Sequence, residues 1–360
     1  MILLSAGVTP AQALSVPKSF LRASSSPYLS KSGIIVIDPT TEQTIFSRQA
    51  DLLRAPASVL KLVSTTTAVK ILGAEKVFHT SISDTAQPGT FVVLGENDPW
   101  MTSSPYEASK YHRAFTPALI NAVLKVHPEL HSMTLDYDGI YSKDLIEVQR
   151  YFRGRLIIKL HPLPSIGEAK AEAVGTIQTL ESPKLSDIVQ FTLLWSDNVL
   201  ADRLARTATK VMGLGTDSTA LQQGFEKVLG DLGVSTAGLH IIDGAGLSHE
   251  TRISARTIAD LLLKIKSDPD LEVIYDGLPV AGESGTLKDR FVKDAPRAVG
   301  LVKAKTGWID TSVALAGYVD AGSKQYVFTV INDHVRPREY YRQLTREAID
   351  KMLATIARPA

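Results

Sequence analysis

Two groups of strand-forming segments, one near each end of the chain, enclose a helical middle and constrain the fold more than any other feature. Near the N-terminus, residues 33–38 and 43–48 flank a Pro-Thr-Thr-Glu turn, the pattern of a strand hairpin. Near the C-terminus, three apolar runs follow at 301–305, 313–319 and 326–331. We therefore predict an α+β fold in which one antiparallel sheet takes strands from both chain ends and packs against a helical lobe.

The helical lobe is predicted from apolar periodicity and from helix start and stop residues. Pro56 suits a first helical turn and Gly73 a helix end, and Ser254 suits an N-cap. The predicted helices are 62–72, a helix that starts at Ser182-Pro183 and ends near Trp195, 199–212, 218–229, 254–265 and the amphipathic segment 337–356.

Residues 100–180 are the least regular part of the pattern. They contain one helical segment at 117–126 and extended segments at 133–137 and 156–160. We predict that residues 31–99 and 181–360 form one domain and that residues 100–180 are a reduced insertion of uncertain fold. Residues 1–30 are predicted to be a leader or a flexible tail.

Composition excludes several classes of function. The 360 residues carry a net charge of +1 and no dense basic run, so nothing favours a nucleic-acid partner. The absence of cysteine excludes disulfides and a thiol nucleophile. No apolar run approaches the roughly 18 residues of a membrane span. A short apolar start followed by Ala11-Gln12-Ala13 resembles a secretory signal cleaved after Ala13, which predicts export to the periplasm or another extracytoplasmic site.

Ser58 and Lys61 open the first predicted helix in an S-x-x-K arrangement. Residues three apart lie on one helix face, so the hydroxyl and the amine can meet as nucleophile and base. Backbone NH groups at a helix start also stabilise an oxyanion. The same spacing occurs at Ser15 and Lys18, where no helix is evident, so the pattern alone does not identify a site.

Two further motifs follow S-x-x-K along the chain. Ser196-Asp197-Asn198 lies at a break between two predicted helices, and Lys305-Thr306-Gly307 lies at the end of a predicted strand. S-x-x-K, S-D-N and K-T-G together are the signature of penicillin-binding proteins and class A β-lactamases. The ordered set predicts an acyl-transfer site.

The residue types fit that chemistry. Lys61 can take a proton from Ser58 only when its amine is neutral, well below the usual lysine pKa of about 10.4. Burial and the charge of Lys305 both favour the neutral form of Lys61. Ser196 can pass a proton between the lysines and a leaving amine, and Asn198 can hold a substrate backbone.

Beyond the motifs, the chain resembles the D-alanyl-D-alanine carboxypeptidase/endopeptidase family of low-molecular-mass penicillin-binding proteins. The resemblance implies the β-lactamase/penicillin-binding-protein transpeptidase-like fold, with Ser58, Lys61, Ser196, Asn198 and Lys305 as catalytic residues. The matching segments are Asp98-Pro99, Ala201 with Leu204, the loop 243–248, the segment 278–282, Gly285-Thr286-Leu287 with Arg290, and the strand 314–318.

The resemblance also implies the substrate-binding residues and the partners. Thr306, Gly307 and Trp308 would bind substrate, Thr306 and the charge of Lys305 facing its carboxylate, and the NH groups of Ser58 and Trp308 would bind the oxyanion. Trp308 stands where the family usually has a small hydroxyl residue. The substrates would be peptidoglycan stem peptides ending in D-Ala-D-Ala, and β-lactams would acylate Ser58.

Two alternatives remain open from the sequence. A serine β-lactamase would use the same acylation, but no E-x-x-L-N segment follows Ser196; a non-catalytic wall-binding protein would keep the fold without turnover. No metal or cofactor is predicted, because Pro128 interrupts the segment between His127 and His131, which does not match the H-E-x-x-H zinc motif.

Overall fold

The structure is a computed structural model that describes residues 16–360. The strands of this part of the chain are β1 (Gly33–Asp38), β2 (Gln43–Arg48), β3 (Leu53–Arg54), β4 (His79–Asp84), β5 (Thr90–Gly95), β6 (Met101–Thr102), β7 (Ala114–Phe115), β8 (Ser132–Asp138), β9 (Ile157–Pro162), β10 (Gly175–Glu181), β11 (Ile253–Ser254), β12 (Val302–Ile309), β13 (Ser312–Ala321) and β14 (Lys324–Asn332).

The helices lie mostly between the two strand groups. They are α1 (Lys18–Ser24), α2 (Lys61–Leu72), α3 (Pro105–Tyr111), α4 (Pro117–Val126), α5 (Ser142–Tyr151), α6 (Ile166–Glu172), α7 (Leu185–Trp195), α8 (Asn198–Val211), α9 (Ser218–Asp231), α10 (Ala255–Ser267), α11 (Glu272–Asp276) and α12 (Glu339–Ala354).

The main sheet joins the two ends of the chain, as the sequence predicted. Its order is β12-β13-β14-β1-β2, and β1 pairs antiparallel with β14 in a register that places Val36 opposite Phe328. All of its neighbouring strands are antiparallel. The predicted α+β architecture is confirmed.

Both faces of this sheet are covered, which explains why β1 is apolar at consecutive positions. Ile35 and Ile37 point into the core shared with the helical lobe, whereas Ile34 and Val36 point into the core beneath α12. Successive strand residues face opposite sides of a sheet. A strand buried on both faces therefore needs apolar side chains throughout rather than at alternate positions.

The helical lobe is built around α2, whose contacts include α7, α8 and α9. Two of the four buried hydroxyls of its segment 64–67 are hydrogen-bonded: Ser64 donates to Gly244 O at 2.6 Å and Thr65 to Lys61 O at 2.7 Å. The Thr66 and Thr67 hydroxyls have no hydrogen-bond partner among the described residues. The predicted N-cap is confirmed, since Ser254 Oγ accepts from the Thr257 NH at the start of α10.

A second sheet lies between α2 and α7 in the chain. Its order is β10-β4-β5-β8-β9, and it has its own apolar core. Strands β4, β5 and β10 pair antiparallel, while β5, β8 and β9 run parallel. The predicted boundary at residue 100 is wrong, because β4 and β5 precede that residue and belong to this sheet.

The prediction of a leader or flexible tail over residues 1–30 is wrong for its second half. Helix α1 and a turn at Pro27–Leu29 are folded there, and Phe20 and Leu29 are fully buried in the core beneath α12. The Ala11-Gln12-Ala13 motif lies outside the described residues. Within residues 16–360, no helix is both long enough and apolar enough to cross a membrane.

Candidate active site

Ser58 lies on a 3-10 turn, Ala57–Leu60, that leads directly into α2. The backbone bends sharply at the start of this turn, because Ala57 adopts a positive φ of 50°, a conformation that residues other than glycine rarely adopt. The sequence predicted an α-helix start at this point, and the structure has a tighter turn instead. The Ser58 side chain faces a cleft and is almost buried.

Lys61 is the first residue of α2 and is completely buried, at 0% exposure. Its ammonium nitrogen donates to Ser58 Oγ at 2.7 Å, to Asn198 Oδ1 at 2.7 Å and to Ala245 O at 2.9 Å. Burial lowers the pKa of Lys61 to about 7, although the carboxylates of Asp243 and Asp197 oppose the shift. A substantial fraction of Lys61 is therefore a neutral amine near pH 7.

The loop 243–248 supplies the third acceptor for Lys61. Its Asp243 carboxylate accepts from the NH groups of residues 245–248 at 2.6–3.1 Å, which fixes the loop backbone. Gly246 has a φ of 78°, and a Cβ there would stand 2.0 Å from Ala57 O. The loop therefore packs directly on the turn that carries Ser58. The resemblance indicated this loop, but the contact through Ala245 O was missed because a backbone acceptor leaves no residue-type signal.

Ser196 and Asn198 come from a sharp junction between α7 and α8. Ser196 ends α7 in the left-handed conformation, with a φ of 59°. Asp197 then caps α8 by accepting from the Leu200 NH at 2.9 Å. This turn leaves Asn198 as the first residue of α8, in contact with Lys61. The S-D-N motif thus places its first and third residues in the site and uses its second as a helix cap.

Lys305 on β12 forms a second lysine–serine pair. Its ammonium nitrogen donates to Ser196 Oγ at 2.8 Å and to Thr306 O at 3.0 Å. Burial lowers its pKa well below the ordinary value, and the charge of Lys61 lowers it further. Gly307 lets β12 approach the nucleophile turn, because a Cβ there would stand 2.8 Å from Pro56 O.

The motifs meet at a cleft of about 330 Å³. Thr306 Oγ1 donates across one wall to Thr286 Oγ1 at 2.9 Å. Sequence reasoning did not identify Arg346, which comes from α12. The lining residues are Ser58, Ser196, Asn198, Thr286, Arg290, Thr306, Gly307, Trp308 and Arg346.

The arrangement fits nucleophilic acyl transfer. Each serine in the cleft, Ser58 and Ser196, has a buried lysine within hydrogen-bond distance, as an activated nucleophile and a proton relay require. Within residues 16–360, no group of three or more His, Asp or Glu side chains is placed to hold a metal ion.

Comparison with known proteins establishes the family of this chain. The chain matches the model of the D-Ala-D-Ala carboxypeptidase 3 (S13) family over residues 22–125 and 165–356. It belongs to that family. This membership confirms the resemblance predicted from the sequence, and all three motifs lie within the matched residues.

Curated relatives of this S13 chain carry matching names. It is 38% identical to the D-alanyl-D-alanine carboxypeptidase of Actinomadura sp. over 158 residues, which are 42% of this chain and 29% of that protein. It is 32% identical to carboxypeptidase DacB of Mycolicibacterium smegmatis over 193 residues, 50% of this chain and 39% of that protein. The alignments thus span well under half of each relative.

Solved structures confirm the fold. Penicillin-binding protein 4 of Haemophilus influenzae, in complex with a β-lactam, superposes with a TM-score of 0.70. The superposition covers 91% of this chain and 96% of that chain at 16% sequence identity. The S13 chain therefore has the penicillin-binding-protein fold.

Proposed function

We propose that this S13 chain is a serine DD-carboxypeptidase or DD-endopeptidase that works through an acyl-enzyme on Ser58. One observation carries the proposal. The nucleophile's hydroxyl lies 2.7 Å from a fully buried lysine whose pKa is lowered to about 7. A lysine in this state can accept the serine proton at neutral pH.

The proposed reaction has two steps. In acylation, a bond forms between Ser58 Oγ and the substrate carbonyl carbon while the carbon–nitrogen bond breaks, and the serine proton passes to Lys61. Ser196, hydrogen-bonded to Lys305, relays the proton taken by Lys61 to the leaving amine. In deacylation, a water molecule adds to the ester carbonyl as its proton passes to Lys61; the bond between the carbonyl carbon and Ser58 Oγ then breaks, and Lys61 returns the proton to Ser58. The NH groups of Ser58 and Trp308 are proposed to hold the oxyanion.

The proposed substrates are peptidoglycan stem peptides ending in D-Ala-D-Ala, with β-lactams as acylating inhibitors. Support comes from the carboxypeptidase names of the curated relatives and from the β-lactam bound to the Haemophilus influenzae protein. Because such substrates lie outside the cytoplasm, we propose an extracytoplasmic location. Thr306, Gly307 and Trp308 form the proposed substrate-binding edge of β12.

Mass spectrometry after incubation with benzylpenicillin tests the proposal. We expect one adduct, on Ser58, and release of D-alanine from a D-Ala-D-Ala peptide. Ser58→Ala should lose both, whereas Ser267→Ala, an exposed serine at the end of α10, should keep both. An adduct that persists in Ser58→Ala would contradict the assignment.

The rate of deacylation separates this function from its alternatives. A DD-peptidase should hold the penicilloyl group for many minutes while it releases D-alanine from peptides. Rapid, repeated hydrolysis of penicillin would indicate a β-lactamase. Binding to peptidoglycan without an adduct or D-alanine release would indicate a non-catalytic wall-binding protein.

A further inference from the structure

The cleft wall beside Trp308 carries a guanidinium, that of Arg346, which makes no hydrogen bond or close ion pair within residues 16–360. Arg346 projects from α12 into the lining of the cleft, half-buried, and its guanidinium carbon lies 5.4 Å from the centroid of the Trp308 ring. Stacking on an aromatic face orients a guanidinium and leaves its N–H edge available.

The neighbouring arginines are already paired. Arg290 donates to Asp350 at 3.2 Å from Nε, and both side chains are buried. Arg342, which also stacks on Trp308, lies 2.9 Å from a Glu339 oxygen. For Arg346, by contrast, residues 16–360 supply no hydrogen-bond acceptor and no carboxylate within ion-pair distance; its close contact is the Trp308 ring. The carboxylates of Asp350, Glu339 and Glu347 act on it only at longer range.

The other cationic and hydroxyl groups of this wall are committed elsewhere. Lys305 is 0% exposed and donates to Ser196 and to Thr306 O. The Thr306 hydroxyl donates to Thr286. Trp308, two positions after Thr306 on β12, supplies no hydroxyl. Among these groups, Arg346 is therefore the one whose N–H groups are not engaged by a hydrogen bond or a close ion pair within residues 16–360.

We propose that Arg346, oriented by the Trp308 ring, binds the C-terminal carboxylate of the D-alanine that leaves the substrate during acylation. This inference rests on the proposed DD-peptidase function and makes Arg346 a specificity-determining residue for a free carboxyl terminus. A planar guanidinium binds a carboxylate through two parallel hydrogen bonds. The pair Trp308–Arg346 thus takes the place of a carboxylate-binding hydroxyl on β12.

Two substrates that differ only at this group test the proposal. The first is an N-acylated D-Ala-D-Ala with a free carboxylate, and the second is the same peptide with a C-terminal amide. Wild-type protein should cleave the carboxylate form with a kcat/KM roughly 10–100-fold higher, the range expected for a charge-assisted hydrogen bond. Equal cleavage of the two forms by wild-type protein would overturn the inference without any variant.

Matched variants locate the effect. Arg346→Gln should lower kcat/KM for the carboxylate form to near that of the amide form and leave the amide form unchanged, and Arg346→Lys should restore part of the preference. Arg342→Gln removes the other guanidinium stacked on Trp308 and should keep the preference. A preference that survives in Arg346→Gln, or that falls equally in both glutamine variants, would overturn the assignment to Arg346.

Different outcomes would contradict the proposed function and the role of Arg346. If wild-type protein cleaves neither peptide and forms no Ser58 adduct, the proposed function fails and this inference fails with it. If wild-type protein cleaves D-Ala-D-Ala peptides but Arg346→Gln discriminates as wild type does, only the role of Arg346 fails. Benzylpenicillin and its methyl ester provide a second pair of ligands. In Arg346→Gln, adduct formation should slow with benzylpenicillin, which has a free carboxylate, and should be unchanged with the methyl ester.

Discussion

Lys305 donates a 2.8 Å hydrogen bond to Ser196 Oγ, in the same cleft where Lys61 donates to Ser58 Oγ at 2.7 Å. Both lysines are completely buried, and burial lowers the pKa of each. Like charges at close range disfavour one another, which adds to the shift at Lys305. The site can therefore hold neutral amines next to both hydroxyls, a state that exposed lysines reach only at high pH.

The role proposed for Ser196 predicts a large loss of acylation in Ser196→Ala. Because this variant removes the hydroxyl between Lys305 and the leaving group, we expect the second-order rate constant for benzylpenicillin to fall about 10²-fold or more. Intact-mass spectrometry at timed intervals measures it. Ser186→Ala, in the first turn of the same helix α7, should acylate at the wild-type rate; a Ser196→Ala rate within about twofold of wild type would contradict the relay.

The lowered pKa of Lys61 predicts how acylation depends on pH. Since only the neutral amine accepts a proton, the acylation rate should rise with pH through a midpoint of about 7 and level off above it. The rate at pH 6 should then be roughly one tenth of the plateau. Stopped-flow measurements with a chromogenic β-lactam between pH 5 and pH 9 give the profile.

Asp197→Asn provides the matched variant for this profile. The Asp197 carboxylate raises the pKa of Lys61, and asparagine keeps the helix-capping ability of aspartate. The midpoint should therefore move to lower pH in the variant while the plateau is retained. An unshifted midpoint, or a rate independent of pH in the wild type, would exclude Lys61 as the titrating base.

Gly246→Ala should damage both stability and acylation. A Cβ at this position would stand 2.0 Å from Ala57 O, and the residue has a φ of 78°, so the loop and the Ser58 turn must separate. We expect a loss of about 3 kcal/mol or more in the free energy of unfolding, well above the 1–2 kcal/mol of left-handed strain alone. Urea denaturation and acylation kinetics measure the two effects.

Gly322→Ala isolates the strain component. Gly322 has a similar φ of 75°, but a Cβ added there would meet no heavy atom within 4 Å, and the residue lies in the turn between β13 and β14. This variant should lose only about 1–2 kcal/mol and acylate normally. Equal losses in the two variants would show that contact between the loop and Ala57 is not important.

Asp98 predicts a pH-dependent contribution to stability. Burial raises its pKa to about 7, although Arg203 and Arg113 oppose the shift, and one of its carboxylate oxygens has no hydrogen-bond partner among the described residues. A raised folded-state pKa means that the folded state binds the proton more tightly. The unfavourable contribution is therefore absent below about pH 4, grows as pH rises to 7, and is complete above 7.

Asp98→Asn removes this titration while keeping the shape of the side chain. Its free energy of unfolding relative to wild type should improve by about 3 kcal/mol between pH 4.5 and pH 8. Urea denaturation at each pH provides the comparison. Asp231→Asn, at an exposed position of α9, should show no such trend. If the free energy of unfolding of Asp98→Asn changed with pH in the same way as that of wild type, burial of Asp98 would not destabilise the folded state.

Local patterns predicted a large part of the fold. The segment 117–126 coincides with α4, and the strands on both sides of the lobe appear as β1, β2 and β12–β14. These elements have strong periodicity or clear terminators, and their signals depend on neighbours within a few residues. Strands β4 and β10 were missed because their sequences, His79–Asp84 and Gly175–Glu181, are largely polar and become strands by pairing with each other.

For the candidate site, too, some features were predictable from local sequence and others depend on tertiary packing. Residue types and their order along the chain were enough to predict Ser58, Lys61, Ser196, Asn198 and Lys305 as site residues, because each motif combines chemistry with a local turn or helix start. The burial that lowers the lysine pKa values, the carbonyl of Ala245 that accepts from Lys61, and the place of Arg346 on Trp308 depend on segments far apart in sequence. Solvent exclusion and contact between distant segments arise only when the chain packs, so no local pattern records them.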